Sequence, residues 1–218
     1  MIEIYPNNIP IDIYRKLNKD SIINYGFRSD NVGKCMDLLS DFISTGQELT
    51  KTNWENYYFS KQSKEPLIQL SHTISRRQGI PLNLSKRYVF YRVIGQTWNG
   101  TMSEKMVIME LGENLPHIEF RKTDFVKDEK LFTDWEGYDK ESGGLLFGIQ
   151  VKPTTYYTME SDHQNESHHN HNVQRNEYKR IYGVPHYMVY YDNGRIYNRD
   201  SVIETIKFEL ENRELLVL

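Results

Sequence analysis

Residues 131–153 read LFTDWEGYDKESGGLLFGIQVKP, and no other stretch leaves the chain so few ways to fold. Two runs flank Ser142-Gly143-Gly144, a turn signal, and a three-residue loop with glycine in the left-handed position is a common hairpin connection. A turn centred on Gly143 sets Asp134 opposite Lys152 and Glu136 opposite Gln150. Side chains alternate along a strand, so these four share one face, while Trp135, Phe147, Ile149 and Val151 share the other. Gly148 on the polar face leaves space beside the cluster. Slipping the register by one residue would put Asp134 and Lys152 on opposite faces.

The rest of the chain supplies the frame for this hairpin. Residues 30–46 predict a helix: Val32, Cys35, Met36, Leu39, Phe42 and Ile43 keep a 3.6-residue period, Ser29 or Asp30 can cap it, and Gly46 can end it. A second helix is expected over 66–78, with Pro66 in its first turn and Gly79 closing it. Trp54, Tyr57 and Tyr58 suggest a short helical turn between the two. The β-branched and aromatic run KRYVFYRVIG (86–95) predicts a strand, TWNG a turn, TMSEKMVIMEL a helix opened by Thr101 and Glu104 in capping-box spacing, and PHIEF a strand. Residues 158–172 are polar and histidine-rich, which predicts a surface loop. A helix over 173–182, the strand VPHYMVYYD, a turn at Asp192-Asn193-Gly194 and a last helix after Ser201 complete the order. The expected class is α/β: a mixed central sheet flanked by helices, with a helical N-terminal region over 1–85 and an α/β core over 86–218.

Composition narrows the setting. A chain of 218 residues can bury a sizeable core without staples, and its one cysteine, Cys35, cannot build a disulfide framework or a multi-cysteine zinc site. With no signal-like or membrane-length apolar run, a soluble protein of the reducing cytoplasm is expected. The net charge of −3 counts against a non-specific nucleic-acid coat, but not against an enzyme that gathers its basic residues in one cleft. Most of the 16 tyrosines are expected at half-buried strand positions.

The hairpin's polar face suits phosphodiester hydrolysis. Asp134 can bind Mg²⁺, with Mn²⁺ as a substitute, and the Gln150 side-chain oxygen and Val151 carbonyl can complete an oxygen-ligated site that keeps several waters. Lys152 can hold or help deprotonate the attacking water while the metal polarises the phosphate. Because Gln150 is neutral, a further acid is expected. Glu136 is the nearest, and Glu104 is a second candidate, although its plainer reading is a helix cap. Asp134 and Lys152 alone could be a solvated cross-strand ion pair of little energetic weight; the company of Glu136, Gln150 and Gly148 sets them apart.

An acid, a spacer of about fifteen residues holding a hairpin turn, and then Gln-hydrophobic-Lys resembles the PD-(D/E)xK nuclease superfamily. Thr133-Asp134 stands where Pro-Asp is usual, and Gln150 where an acid is usual. The helix and strand that follow also fit that family's core order, over about residues 86–200. TWNG with Glu104, and GIQVKPTTYY, look like a small type II restriction endonuclease of the MjaI-like group. That resemblance implies a site-specific, Mg²⁺-dependent endonuclease for double-stranded DNA, homodimeric on a palindromic site, with a methyltransferase partner acting on the same sequence. Other roles remain on the same residues: a repair, junction or transposon-end nuclease, or a non-catalytic binding module.

Arg175, Lys179 and Arg180 on the following helix are candidates for phosphate contacts or for a solvated helix face. Arg121, Lys122, Tyr156 and Tyr157 flank the hairpin as candidates for the cleft wall. His163, His168, His169 and His171 lack a clear ligand spacing and are read as a polar loop. Cys35 is read as core.

Overall fold

The structure, a computed structural model, describes residues 9–20, 23, 24, 27, 30–154, 156, 162–192 and 195–215. The chain divides into two compact units, residues 1–102 and 103–218.

In the first unit, helices α1 (Ile11–Asn18), α2 (Asp30–Ser44), α3 (Lys51–Lys61), α4 (Glu65–Gln78) and α5 (Leu82–Phe90) surround one core. The expected helices over 30–46 and 66–78 are present, and Gly46 and Gly79 take left-handed φ angles of 70° and 63° at their ends. Ser29 lies outside the described residues. What reads as a short turn around Trp54 is the full helix α3, capped by Thr50 Oγ1, which accepts from the Asn53 N–H at 3.2 Å.

The strand expected over 86–95 is helical instead. α5 runs into a π-helical turn, Tyr91–Gly95, and on into α6 (Gln96–Asn114), which also absorbs the turn expected at TWNG. The reason is burial on every side: Tyr88, Val89, Tyr91, Val93 and Ile94 are all in the core. A helix buried all round shows no amphipathic period, so its β-branched and aromatic residues imitate a strand. The wide turn leaves carbonyls for side chains to fill. Cys35 Sγ donates to the Val93 carbonyl at 3.0 Å, Thr97 Oγ1 to the same oxygen at 2.6 Å, and Trp54 Nε1 to the Ile94 carbonyl at 3.3 Å. Cys35 is core, as expected, and burial pushes its thiol up to about 11.

The second unit holds a five-stranded mixed sheet in the order β1 (Ile118–Lys122), β2 (Trp135–Asp139), β3 (Leu145–Pro153), β4 (His186–Asp192) and β5 (Arg195–Ile196). All neighbours are antiparallel except β3 and β4, which are parallel. α7 (Phe125–Leu131) joins β1 to β2, α8 (Asp162–Tyr182) lies between β3 and β4, and α9 (Arg199–Leu215) follows β5. On one face Phe147, Ile149, Val151 and Val189 pack with Val107 and Leu111 of α6 and Val202, Ile203 and Ile206 of α9. On the other, Tyr178 of α8 packs with Leu131 and Val184. This is the expected α/β class with a restriction-endonuclease-like core.

Residues 162–172 of the expected polar loop belong to α8; residues 158–161 lie outside the described residues. No glycine or proline interrupts the chain from Asp162 to Tyr182, and the fully buried Tyr178 anchors the helix, so a polar surface is compatible with helix here. Asn193 and Gly194 of the expected turn also lie outside the described residues. Among the described residues no helix is long and apolar enough to cross a membrane.

Candidate active site

The hairpin of β2 and β3 forms with a register displaced by two residues from the expected one. Trp135 pairs with Ile149 and Glu136 with Gly148, rather than Glu136 with Gln150. The connection is longer than three residues because Asp139 caps it: its Oδ1 accepts from the Ser142 N–H at 2.6 Å and Oγ at 2.7 Å, with Gly143 left-handed at φ 70°. A bulge between Gly137 and Tyr138 absorbs the irregularity. A displacement of two preserves which face each side chain takes, so the polar and apolar sets remain as the alternation requires.

Asp134 is 4% exposed, and its Oδ2 accepts from Gln150 Nε2 at 2.7 Å and from the Val151 N–H at 2.8 Å. Its own N–H donates to the Ile149 carbonyl at 2.8 Å. Gln150 is fully buried, and its Oε1 has no hydrogen-bond partner among the described residues. A buried acceptor left open is uncommon and points to a missing donor or cation.

The residues just before Asp134 are fixed by β4. Phe132 closes α7 with a left-handed φ of 53°, a conformation that disfavours a bulky side chain. His186 Nε2 holds it by donating to the Phe132 carbonyl at 2.9 Å, close to Thr133 Oγ1 at 3.1 Å, while His186 Nδ1 accepts from Arg175 Nε at 3.1 Å. Burial, reinforced by the Arg175 charge, lowers the imidazole to about 3, so it is neutral in the folded protein.

Two acids meet Asp134, and neither is Glu136. Burial and then the Asp134 charge raise the carboxyl of Glu104 on α6. Burial, Asp134 and a hydrogen bond shared with it raise Asp128 on α7 to about 6. Lys122, at the end of β1, bonds Glu104 Oε2; burial works against its charge, but Glu104, Asp134 and Asp128 outweigh that and hold it raised. Lys152 shares the field at Glu104, and its Nζ lies 4.8 Å from the centre of the Phe132 ring.

Glu136 belongs to a separate buried network. Its oxygens accept from Lys127 Nζ (both at 2.9 Å), Tyr138 Oη (2.8 Å) and Tyr178 Oη (2.7 Å). The space expected beside Gly148 is filled: a Cβ there would stand 2.7 Å from Tyr178 Cε1 and 3.1 Å from His186 Cδ2. Tyr178 occupies that room to reach Glu136.

The other candidates separate as follows. Lys122 turns into the acids. Arg121 is exposed beside Glu119 and over the Tyr138 ring, Lys179 is exposed, and Arg180 pairs with Glu177 at 2.6 Å. Tyr156 Oη meets His171 Nδ1 at 2.6 Å, and His171 stacks on Phe132 with ring centres 3.8 Å apart. His169 is exposed, and Tyr157 lies outside the described residues. Asp128 escaped the sequence reading; its cue was an acid on a short helix only six residues before Asp134.

Among the described residues no three His, Cys, Asp or Glu side chains converge to enclose a metal ion. The carboxyls nonetheless feel one another's charge strongly, and the ammonium of Lys122 stands among them as counter-charge. The donor set of Asp134, Glu104, Asp128 and the open Gln150 Oε1 is all hard oxygen, the ligand type that a magnesium-type cation takes.

A five-stranded mixed sheet with helices packed on it, and acids from α6 and α7 gathered at Asp134, fits a restriction-endonuclease-like core. Residues 17–197 match the family model described as MjaI restriction endonuclease, and the chain belongs to that family of nucleases. No curated protein and no solved structure matches the chain.

Proposed function

We propose that the protein is a site-specific, Mg²⁺-dependent endonuclease of double-stranded DNA, with Asp134, Gln150 and Lys152 at the reacting phosphate. The observation that carries this is Asp134 fixed by Gln150 Nε2 and the Val151 N–H while Gln150 Oε1 is left open beside it. Asp134, Gln150 Oε1 and one or both of Glu104 and Asp128 would hold the ion, with the Val151 carbonyl as a further donor. When bound, it polarises the phosphate and stabilises the charge that develops there. Lys152 orients the attacking water and places an ammonium against the phosphate oxygens. Gln150 and the Val151 N–H fix the Asp134 carboxylate in one orientation. Lys122 supplies counter-charge to the acids and would have to give way for a cation to sit among them.

A homodimer would present one such site to each strand of a palindrome, and a methyltransferase acting on the same site would protect the host's own DNA. One cysteine, buried and free, suits a reducing cytoplasm.

Plasmid digestion with Mg²⁺, Mn²⁺ or EDTA tests the reading. Wild type should cut with either metal and not in EDTA, and Asp134→Ala and Lys152→Ala should each lose about 100-fold or more in rate. Two variants that cut as well as wild type would remove the site from these residues. Cleavage of a randomised duplex library at one short palindrome supports restriction, whereas structure-dependent cutting assigns the same fold to repair.

A further inference from the structure

On the sheet face that carries Gln150 and Lys152, a cavity of about 210 Å³ opens between β4, α8 and Phe132. Met188 and Tyr190 line it, and they pair with Gln150 and Lys152 across the parallel ladder. Register partners point the same way, so the cavity adjoins the catalytic row. Phe132 is the shared wall, bordering the cavity with its ring 4.8 Å from Lys152 Nζ.

Arg175 of α8 lines this cavity, and among the described residues no acid pairs with it. Its Nε donates to His186 Nδ1 at 3.1 Å, Nη2 to the His186 carbonyl at 3.1 Å, and Nη1 to Asn172 Oδ1 at 3.4 Å. All three acceptors are neutral, and they leave part of the five-donor guanidinium fork unused. Burial lowers the guanidinium's pKa, and the phenols of Tyr190 and Tyr156 act against that. Lys127 and Lys122, by contrast, each meet an acid. A half-buried, rigidly held cation with spare donors facing a cavity is a site awaiting an anion.

We propose that this cavity is an anion subsite that takes a backbone phosphate of DNA next to the one held at Lys152, with Arg175 as its principal donor and the Asn172 amide at its mouth. Such a contact sets the strand's position and reads no sequence. The inference rests on the endonuclease reading for the identity of the anion, though not for its charge.

The test is duplex DNA binding in EDTA over a range of salt concentrations. Arg175→Gln should weaken binding and flatten the slope of log K against log salt by about one phosphate contact, ~0.9. Asn172→Asp places a carboxylate against Nη1 of the guanidinium, where the neutral Asn172 Oδ1 now accepts. It should raise the melting temperature and lose the same share of the slope. Because it leaves the bracing of His186 intact, it decides the matter alone should Arg175→Gln fail to fold. A folded Asn172→Asp chain with the wild-type slope overturns the subsite. If wild type binds no duplex at all, the endonuclease reading fails instead. Melting in inorganic phosphate against chloride at equal ionic strength then decides the cavity. A rise in wild type that Asn172→Asp abolishes supports an anion site, and no rise in wild type overturns it.

Discussion

At the scale of residues, Asp134 is fixed by neutral partners, and the most demanding of these is His186, one contact removed. Its imidazole is neutral and buried at about 3 in the fold, against roughly 6.5 when unfolded. Between those values the unfolded chain binds the extra proton, so this residue's share of stability is intact above about pH 6.5 and is lost as pH falls toward 3. At pH 5 the loss is about 2 kcal/mol. Raised carboxyls at Asp128 and Glu104 act in the opposite sense, favouring the fold as pH falls. Urea unfolding of wild type and His186→Gln at pH 7.5 and 5.0 isolates the histidine: the gap between them should narrow at the lower pH. A second prediction separates the acids. Glu136→Gln breaks a buried pair with Lys127 and disturbs two tyrosine contacts, so it should cost about 3–5 kcal/mol of stability and leave Mn²⁺ affinity close to wild type. Glu104→Gln should lower Mn²⁺ affinity with little loss of stability. Calorimetric titration with Mn²⁺ reads the difference, and the reverse pattern would restore Glu136 as the companion acid.

At the scale of elements, the hairpin depends on the close approach of α8. Gly148 admits the Tyr178 ring against β3, and Gly148→Ala would force a Cβ within 2.7 Å of it. Tyr178 must then retreat from Glu136, and the variant should lose about 1–3 kcal/mol in chemical denaturation. An unchanged midpoint would show that the helix yields freely. The hairpin was also the most legible element. Alternation of Trp135, Phe147, Ile149 and Val151 against Asp134, Gln150 and Lys152 declares two faces whatever the exact register, because only an odd displacement exchanges them. The two-residue displacement arose from Asp139 capping its own turn, a side-chain bond that strand periodicity does not report. Gly148 was legible as a gap, but not as a gap filled by Tyr178, thirty positions along the chain.

At the scale of the whole molecule, legibility followed periodicity. The amphipathic helices α2 and α4 declared themselves, while the buried run 86–95 passed for a strand and the polar run 162–172 for a loop. Both errors share a cause: with one kind of surface all round, a helix has no stripe to read. The acids at Asp134 were half legible for a similar reason. Glu136 is near in sequence, whereas Glu104 and Asp128 reach Asp134 through the packing of α6 and α7 against the sheet. The His186 clamp adds a temporal consequence. It lies 54 residues beyond the Phe132 carbonyl it secures and reaches it only through the parallel β3–β4 pairing, after the whole of α8. Non-local parallel pairings of this kind are slow to form. A ribosome-bound chain that has completed the hairpin but not β4 carries every acid and the lysine of the proposed centre, yet lacks the brace beneath Asp134, so that brace arrives only late in synthesis.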